Sequence, residues 1–177
     1  LCAAREARRH HVDVLLIDDK NDLGGQLIKQ THMFFGSKLE RAGVRGIDIA
    51  DELIDEYIEA GGRTLTDAMA VGFYDDGTVG VLYKGEQFIR VQPARIIVAA
   101  GAYENMLPFP NSDLPGVYGA GGFQTLMNID GVLPGRNVLM VGAGNIGLIV
   151  AYQLLQAGGD VAAVIDAAPR AGGYDVH

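Results

Sequence analysis

The chain has 177 residues, 14 Lys and Arg against 22 Asp and Glu, a formal net charge of −8, 49% hydrophobic residues and one cysteine. This is globular composition without a basic face for nucleic acid, and a single thiol excludes a disulfide framework, a Cys-x-x-Cys redox pair and a four-thiolate metal site. No apolar run approaches the length of a membrane span and no signal-peptide pattern occurs, so no span is expected and the cytoplasm is taken as the default location.

In chain order, residues 1–9 read as an Ala-rich helix entered without a cap. Cys2 is expected to pack in the interior of that stretch. Arg5, Arg8 and Arg9, with His10 and His11, are expected to form one solvated face. Residues 12–18 are a short apolar, β-branched run ending in acid, the pattern of a buried parallel strand. A loop containing Gly24 and Gly25 follows. Over 47–60, Ile47, Ala50, Ile54, Tyr57 and Ile58 share one helical face opposite Asp and Glu, and Gly61-Gly62 stops the helix. Short strands then take over. Residues 70–74, the turn Asp75-Asp76-Gly77 and residues 79–83 predict a hairpin, and a further turn leads into 87–92. Arg95 to Ala99 predicts another buried strand, ending at Gly101. Residues 102–118 are polar and proline-containing, a long connection. Asn137–Val141 predicts strand, Ile146–Gln156 helix and Val161–Ile165 strand.

An internal repeat organises these elements. One copy runs from Leu1 through a helix to Leu16-Ile17-Asp18 and then Gly24-Gly25; the other runs from Leu148 through a helix to Val164-Ile165-Asp166 and then Gly172-Gly173. From Leu to acid is 17 steps in the first copy and 18 in the second, and each Gly-Gly pair follows its acid by six and seven residues. The second copy is preceded by a strand and a glycine-rich turn, so the first predicts the same upstream of Leu1. Both ends read as interior positions of a longer protein.

Gly142, Gly144 and Gly147 form G-x-G-x-x-G between a strand and a helix, and Asp166 ends the next strand 19 residues after Gly147. That context is the dinucleotide-binding fingerprint. Gly142 permits the tight turn, Gly144 lets a pyrophosphate approach the backbone, and Gly147 lets helix and strand pack closely. Asn145 and Ile146 open the helix, whose N–H groups and dipole favour phosphate. Asp166 accepts hydrogen bonds from ribose hydroxyls and repels a 2′-phosphate, with Arg170 the only nearby cation, so NAD is expected over NADP. Asp18 is the equivalent acid of the first copy, expected at the adenosine ribose of FAD. Gly24 and Gly25 let the chain pass close to that cofactor, with Gln26 presenting polar atoms. His32, Lys29 and Gln30 read as structural or surface residues, and no spaced metal set is visible among the histidines. No catalytic residue is assigned.

The sequence resembles the FAD/NAD-binding pyridine nucleotide-disulfide oxidoreductase superfamily. Gly24-Gly25-Gln26 resembles its segment after the ribose acid. Residues 96–102 (Ile-Ile-Val-Ala-Ala-Gly-Ala) resemble its "ATG" strand end, with Ala100 in place of the usual Thr before Gly101, and Asp113-Leu-Pro-Gly-Val117 resembles the segment that follows. A narrower resemblance is to the FAD- and NAD-binding alpha subunits of heteromeric amine dehydrogenases, the proline dehydrogenase, sarcosine and opine oxidase and hydrogen cyanide synthase type. It is carried by residues 25–32, 34–37, 124–128 and 172–177. The superfamily's redox cysteines are absent.

The resemblance implies an α/β fold of two Rossmann-like, three-layer dinucleotide-binding units with a small antiparallel β insertion. Residues 1–118 would form the FAD-binding domain, lacking its first strand and glycine-rich turn and carrying the insertion at about 63–92; residues 119–177 would begin the NAD-binding domain. Ala100 and Gly101 would pass the flavin. The implied activity is electron transfer between nicotinamide and FAD, with a small-molecule substrate such as an amine or amino acid, and partner subunits. Two other readings stay open: a single-cofactor NAD dehydrogenase, and a non-catalytic nucleotide-binding subunit. This piece alone is expected to bind little FAD.

Overall fold

The computed structural model describes residues 1–173 as two compact units. One joins Leu1–Leu27 to Ile47–Gly101; the other joins the excursion Ile28–Gly46 to residues 102 onward.

In the first unit, helix α1 (Cys2–Arg9) leads to strand β1 (Leu15–Ile17), and helix α2 (Gly46–Glu59) leads to β2 (Arg63–Leu65). β1 and β2 pair in parallel, Leu16 opposite Thr64. α2 forms over the expected span, but the face it buries is shifted from the expected one: of that set only Ala50 and Tyr57 are buried, and Ile58 is exposed. The helix buries Ile49, Ala50, Leu53 and Tyr57, and it ends at Gly61, whose φ of 75° is left-handed. The Tyr57 hydroxyl donates to the Arg63 carbonyl at 2.7 Å, tying the helix end to the start of β2. Burial raises the Tyr57 phenol pKa.

Four expectations are corrected here. β1 is three residues long instead of seven, because it has only β2 to pair with among the described residues. Cys2 is exposed: with Glu6 and Arg9 it lies on one outward stripe at i, i+4, i+7, and α1 buries no residue. Arg5 and Arg8 are not part of a solvated face. Arg5 binds Glu56 of α2 at 2.5 Å, and Arg8 donates to the Ala60 carbonyl at 3.0 Å. Arg95 to Ala99 is neither strand nor buried; Ile97 is 70% and Val98 85% exposed. A strand needs a ladder partner for its N–H and C=O groups, and these residues have none among those described.

Strands β3 (Ala68–Phe73), β4 (Val79–Tyr83) and β5 (Gln87–Val91) form a three-stranded antiparallel sheet. The turns match the expected Asp75-Asp76-Gly77 and 84–86. The sheet begins at Ala68, and residues 63–65 belong instead to the parallel pair. That pair is set by the parallel register with β1, which local patterning cannot reveal.

In the second unit, helix α3 (Ala120–Asn128) precedes β6 (Asn137–Val141), helix α4 (Asn145–Gln156) and β7 (Asp160–Ile165). β6 and β7 pair in parallel, Val141 opposite Ile165. Phe123, Met140, Val150, Ala151 and Leu154 form the core, flanked by Met127, Leu133, Val138 and Val161. Leu139, Val141, Val164 and Ile165 are left exposed. Among the described residues no helix is long and apolar enough to cross a membrane.

Candidate dinucleotide sites

The turn between β6 and α4 is built from its glycines. Gly142 has φ 109°, a backbone region that L side chains rarely adopt. Its N–H donates to the Ile165 carbonyl at 2.7 Å, extending the β6–β7 ladder into the turn. A Cβ on Gly147 would overlap the Gly142 carbonyl oxygen, so helix and turn meet at a distance only glycine allows. Nothing lies within 4 Å of where a Cβ would sit on Gly142 or Gly144. Gly144 is the N-cap of α4, extended at φ −80°, ψ 179°, and has no side chain with which to cap the helix. The turn therefore presents side-chain-free backbone at Gly142 and Gly144 beside the helix start at Asn145 and Ile146, a geometry suited to pyrophosphate.

Asp166 stands one residue beyond β7. Its Oδ2 accepts from the Ala143 N–H at 2.7 Å and its Oδ1 from the Ala168 N–H at 2.8 Å. The Ala143 and Ala168 amides hold its carboxyl below the usual carboxylate range. Strand end and glycine turn are thus tied by one charged group, whose remaining lone pairs can accept ribose hydroxyls. A shallow pocket of about 250 Å³ opens here, lined by Ala143, Leu148, Val164, Asp166, Pro169 and Arg170 among others. Gly172 and Gly173 both donate to the Ala143 carbonyl, at 2.9 and 3.1 Å, so the following loop folds back on the turn. The last four residues of the 172–177 string lie outside the described residues.

In the first unit Asp18 occupies the corresponding place, one residue beyond β1. Its Oδ1 accepts from the Lys20 N–H at 3.0 Å, the same bond to the second residue on that Asp166 makes with Ala168. Its backbone continues the sheet: its N–H donates to Leu65 and its carbonyl accepts from Ala68. Gly24 and Gly25 turn the chain at φ 117° and 57° behind the buried Leu23, and Gln26 is exposed. An amphipathic pocket of about 450 Å³ beside this strand end is lined by Asp19, Asp67, Met69, Leu82, Lys84 and Gly85. Asp19, an exposed residue, is one of its walls. Ala100 and Gly101 are exposed, beyond the segment that does not form a strand. The structure therefore gathers Gly142, Gly144, Asn145, Ile146, Gly147 and Asp166 at one turn, while Asp18 follows β1 and Gly24 and Gly25 turn the chain six and seven residues on.

The excursion carries side chains that sequence reasoning set aside. Lys29 is half-buried; its Nζ donates to Thr125 Oγ1 at 3.3 Å and to the Gly121 carbonyl at 3.4 Å. Burial lowers its pKa, against an opposing pull from Glu104. Glu104 accepts from the Gly121 N–H at 3.1 Å. Asn128 Nδ2 donates to the Lys29 carbonyl, and Gln153 Nε2 to Thr31 Oγ1. The available signal was Gln153 itself, an amide on the face of α4 that also buries Val150 and Leu154.

A parallel β-α-β unit with a glycine turn and a strand-end acid defines a dinucleotide-binding α/β protein. The chain belongs to the pyridine nucleotide-disulphide oxidoreductase family, whose model matches residues 1–175. It is 30% identical over 187 residues to a sarcosine oxidase subunit alpha of Rhizobium meliloti (strain 1021), covering 97% of this chain and 18% of that one. It is 30% identical over 171 residues to a hydrogen cyanide synthase subunit of Pseudomonas protegens, covering 94% of this chain and 36% of the relative. The solved structure of an L-proline dehydrogenase from P. horikoshii superposes with a TM-score of 0.79 at 26% identity, covering 91% of this chain and 32% of that one. An NAD-dependent persulfide reductase from A. fulgidus, at 16% identity and TM-score 0.63, shares the fold. The chain spans between 18% and 36% of the length of the curated relatives it matches.

Proposed function

We propose that this chain is the dinucleotide-handling part of an FAD-dependent oxidoreductase that passes electrons between a nicotinamide cofactor and flavin. The observation that carries the reading is the β6–turn–α4–β7 unit, with open approach over Gly142 and Gly144 and Asp166 fixed at the strand end. Asp18, held in the same local turn, supports a second cofactor on the first unit. In this reading residues 1–118 form the FAD domain and residues from 119 begin the NAD domain. Each is a three-layer unit whose uncovered apolar residues meet the rest of the protein.

The cofactors supply hydride transfer between nicotinamide and flavin N5. The chain's residues bind and orient them. The α4 start and glycine turn take the pyrophosphate of NAD; Asp166 takes its ribose hydroxyls and disfavours a 2′-phosphate. Asp18 would take the FAD ribose, Gly24, Gly25 and Gln26 would pass beside that cofactor, and Ala100-Gly101 would face the flavin. In this reading the first copy of the repeat, like the second, is preceded by a strand and a G-x-G-x-x-G turn. The similarity to sarcosine oxidase and L-proline dehydrogenase favours an amine or amino-acid substrate, and the relatives named as subunits favour partner chains.

The test is the absorption spectrum of the purified full-length protein with and without NADH. A visible flavin band that NADH bleaches is the expected result. A colourless protein, or a flavin that NADH leaves oxidised, overturns the reading.

A further inference from the structure

We propose that Gln153 is a positioning residue which, through Thr31, fixes the Ile28–Gly46 excursion on the second unit in the place that flavin reduction by NADH requires. The inference rests on the function proposed above and deepens it.

The excursion begins two residues after Gln26 in the chain, yet it packs as part of the second unit. Three side-chain ties hold its first residues there: Lys29 Nζ on α3, Asn128 Nδ2 on the Lys29 carbonyl at 2.8 Å, and Gln153 Nε2 on Thr31 Oγ1 at 2.9 Å. The third comes from the interior. Gln153 is 3% exposed, and its Oε1 accepts from Nε2 of Gln124, itself 4% exposed, at 2.9 Å. Around them α4 offers Val150, Ala151 and Leu154 to the core.

Two apolar side chains of similar shape would serve the packing of α3 on α4 about as well, because a satisfied buried amide pair adds little net stability over such a replacement. The pair differs from them in direction. The Gln124 amide orients the Gln153 carbonyl, which leaves the Gln153 amide aimed at Thr31. Gln153 also lies on the helix whose start is the glycine turn, nine residues beyond Gly144 and so about 13 Å along the axis. One rigid helix thus connects the pyrophosphate cradle to the excursion. The excursion in turn carries the stacked rings of His32 and Phe34, with centroids 5.4 Å apart.

The test uses the full-length flavin-containing protein and the variants T31V, T31S, Q153M and T31V/Q153M. T31V keeps the shape and removes the acceptor; T31S restores it. T31V and Q153M are expected to lower the limiting rate of flavin bleaching by NADH about ten-fold, within the range that small misplacements of reacting groups produce. KM for NADH and flavin content are expected to stay at wild-type values. T31S should return to within about twofold of wild type, and the double variant should be no slower than the slower single one, as for two members of one relay. Wild-type limiting rates in T31V, failure of T31S to restore the rate, or a raised KM with an unchanged rate would overturn the inference alone. Should Q153M not fold, the T31V and T31S pair still decides. A wild-type protein whose flavin NADH does not reduce overturns this inference together with the proposed function.

Discussion

Alanine at Gly147 and alanine at Gly144 are expected to fail in different assays. The Cβ of G147A falls on the Gly142 carbonyl oxygen, which is backbone and cannot rotate away. Turn and helix must move apart, at a cost of about 1–3 kcal/mol for overpacking. For a chain of this size that lowers Tm by about 2–12 °C. The Cβ of G144A meets nothing within 4 Å, and the residue's extended backbone suits alanine. The poorer N-cap costs G144A up to about 1 kcal/mol, and reduced unfolded-state freedom returns about 0.4–1 kcal/mol. Its Tm should therefore stay within a few degrees of wild type. The same methyl stands where the pyrophosphate must approach. A clash of about 1–3 kcal/mol weakens NADH binding roughly 5- to 150-fold. Thermal melts without ligand, paired with NADH titration by calorimetry, separate the two effects. If G144A binds NADH as wild type does, the turn is a packing device and not a phosphate cradle. If G147A melts at the wild-type temperature, the close approach does not govern the fold.

Four further predictions concern charge and the upstream sequence. Asp166 has a depressed carboxyl pKa in the folded chain. The stability it contributes is complete above the ordinary carboxylate pKa and is lost as pH falls through the depressed one, so D166N should flatten acid denaturation below about pH 4. D166N should also raise the preference for NADPH relative to NADH in binding titrations; an unchanged ratio would remove Asp166 from the ribose site. Lys29 has a lowered pKa. Its burial penalty applies below that pKa and is relieved as pH rises towards the unfolded value, so wild type should gain stability over K29M in alkaline denaturation series. The codons before Leu1 in the parent gene should encode an apolar strand and G-x-G-x-x-G, and an upstream sequence without them refutes the tandem repeat.

Where local pattern and tertiary structure agree, the sequence was readable. β6, α4 and β7 match their expected spans within one residue because a buried parallel strand, an apolar helix and a glycine turn each leave a local mark. The glycine fingerprint and Asp166 were legible for the same reason, since each position answers to a steric or electrostatic demand a few residues away. α3 went unnoticed because Gly121 and Gly122 sit in its first turn and its N-cap, Gly119, has no side chain to mark the start. Residues 95–99 have the composition of a strand, but a ladder depends on a partner that composition does not specify. The excursion's membership in the second unit, and the part Lys29, Thr31 and Gln153 play in it, depend on contacts spanning about ninety to 120 residues. Periodicity carries no information over such distances. Arg5 and Arg8 were misplaced likewise, since their partners lie some fifty residues on, in and just after α2.

Two dinucleotide-binding units in tandem, one opening at Gly142–Gly147 and the other closing at Asp18, should each hold a cofactor of its own. A crystal structure of the full-length protein grown with NAD tests this most directly. The expected density is NAD pyrophosphate over the amides that start α4 with its adenosine ribose at Asp166, and a separate FAD whose ribose meets Asp18. Electron density showing either acid away from nucleotide, with the Gly142–Gly147 turn bare at saturating NAD, would contradict it.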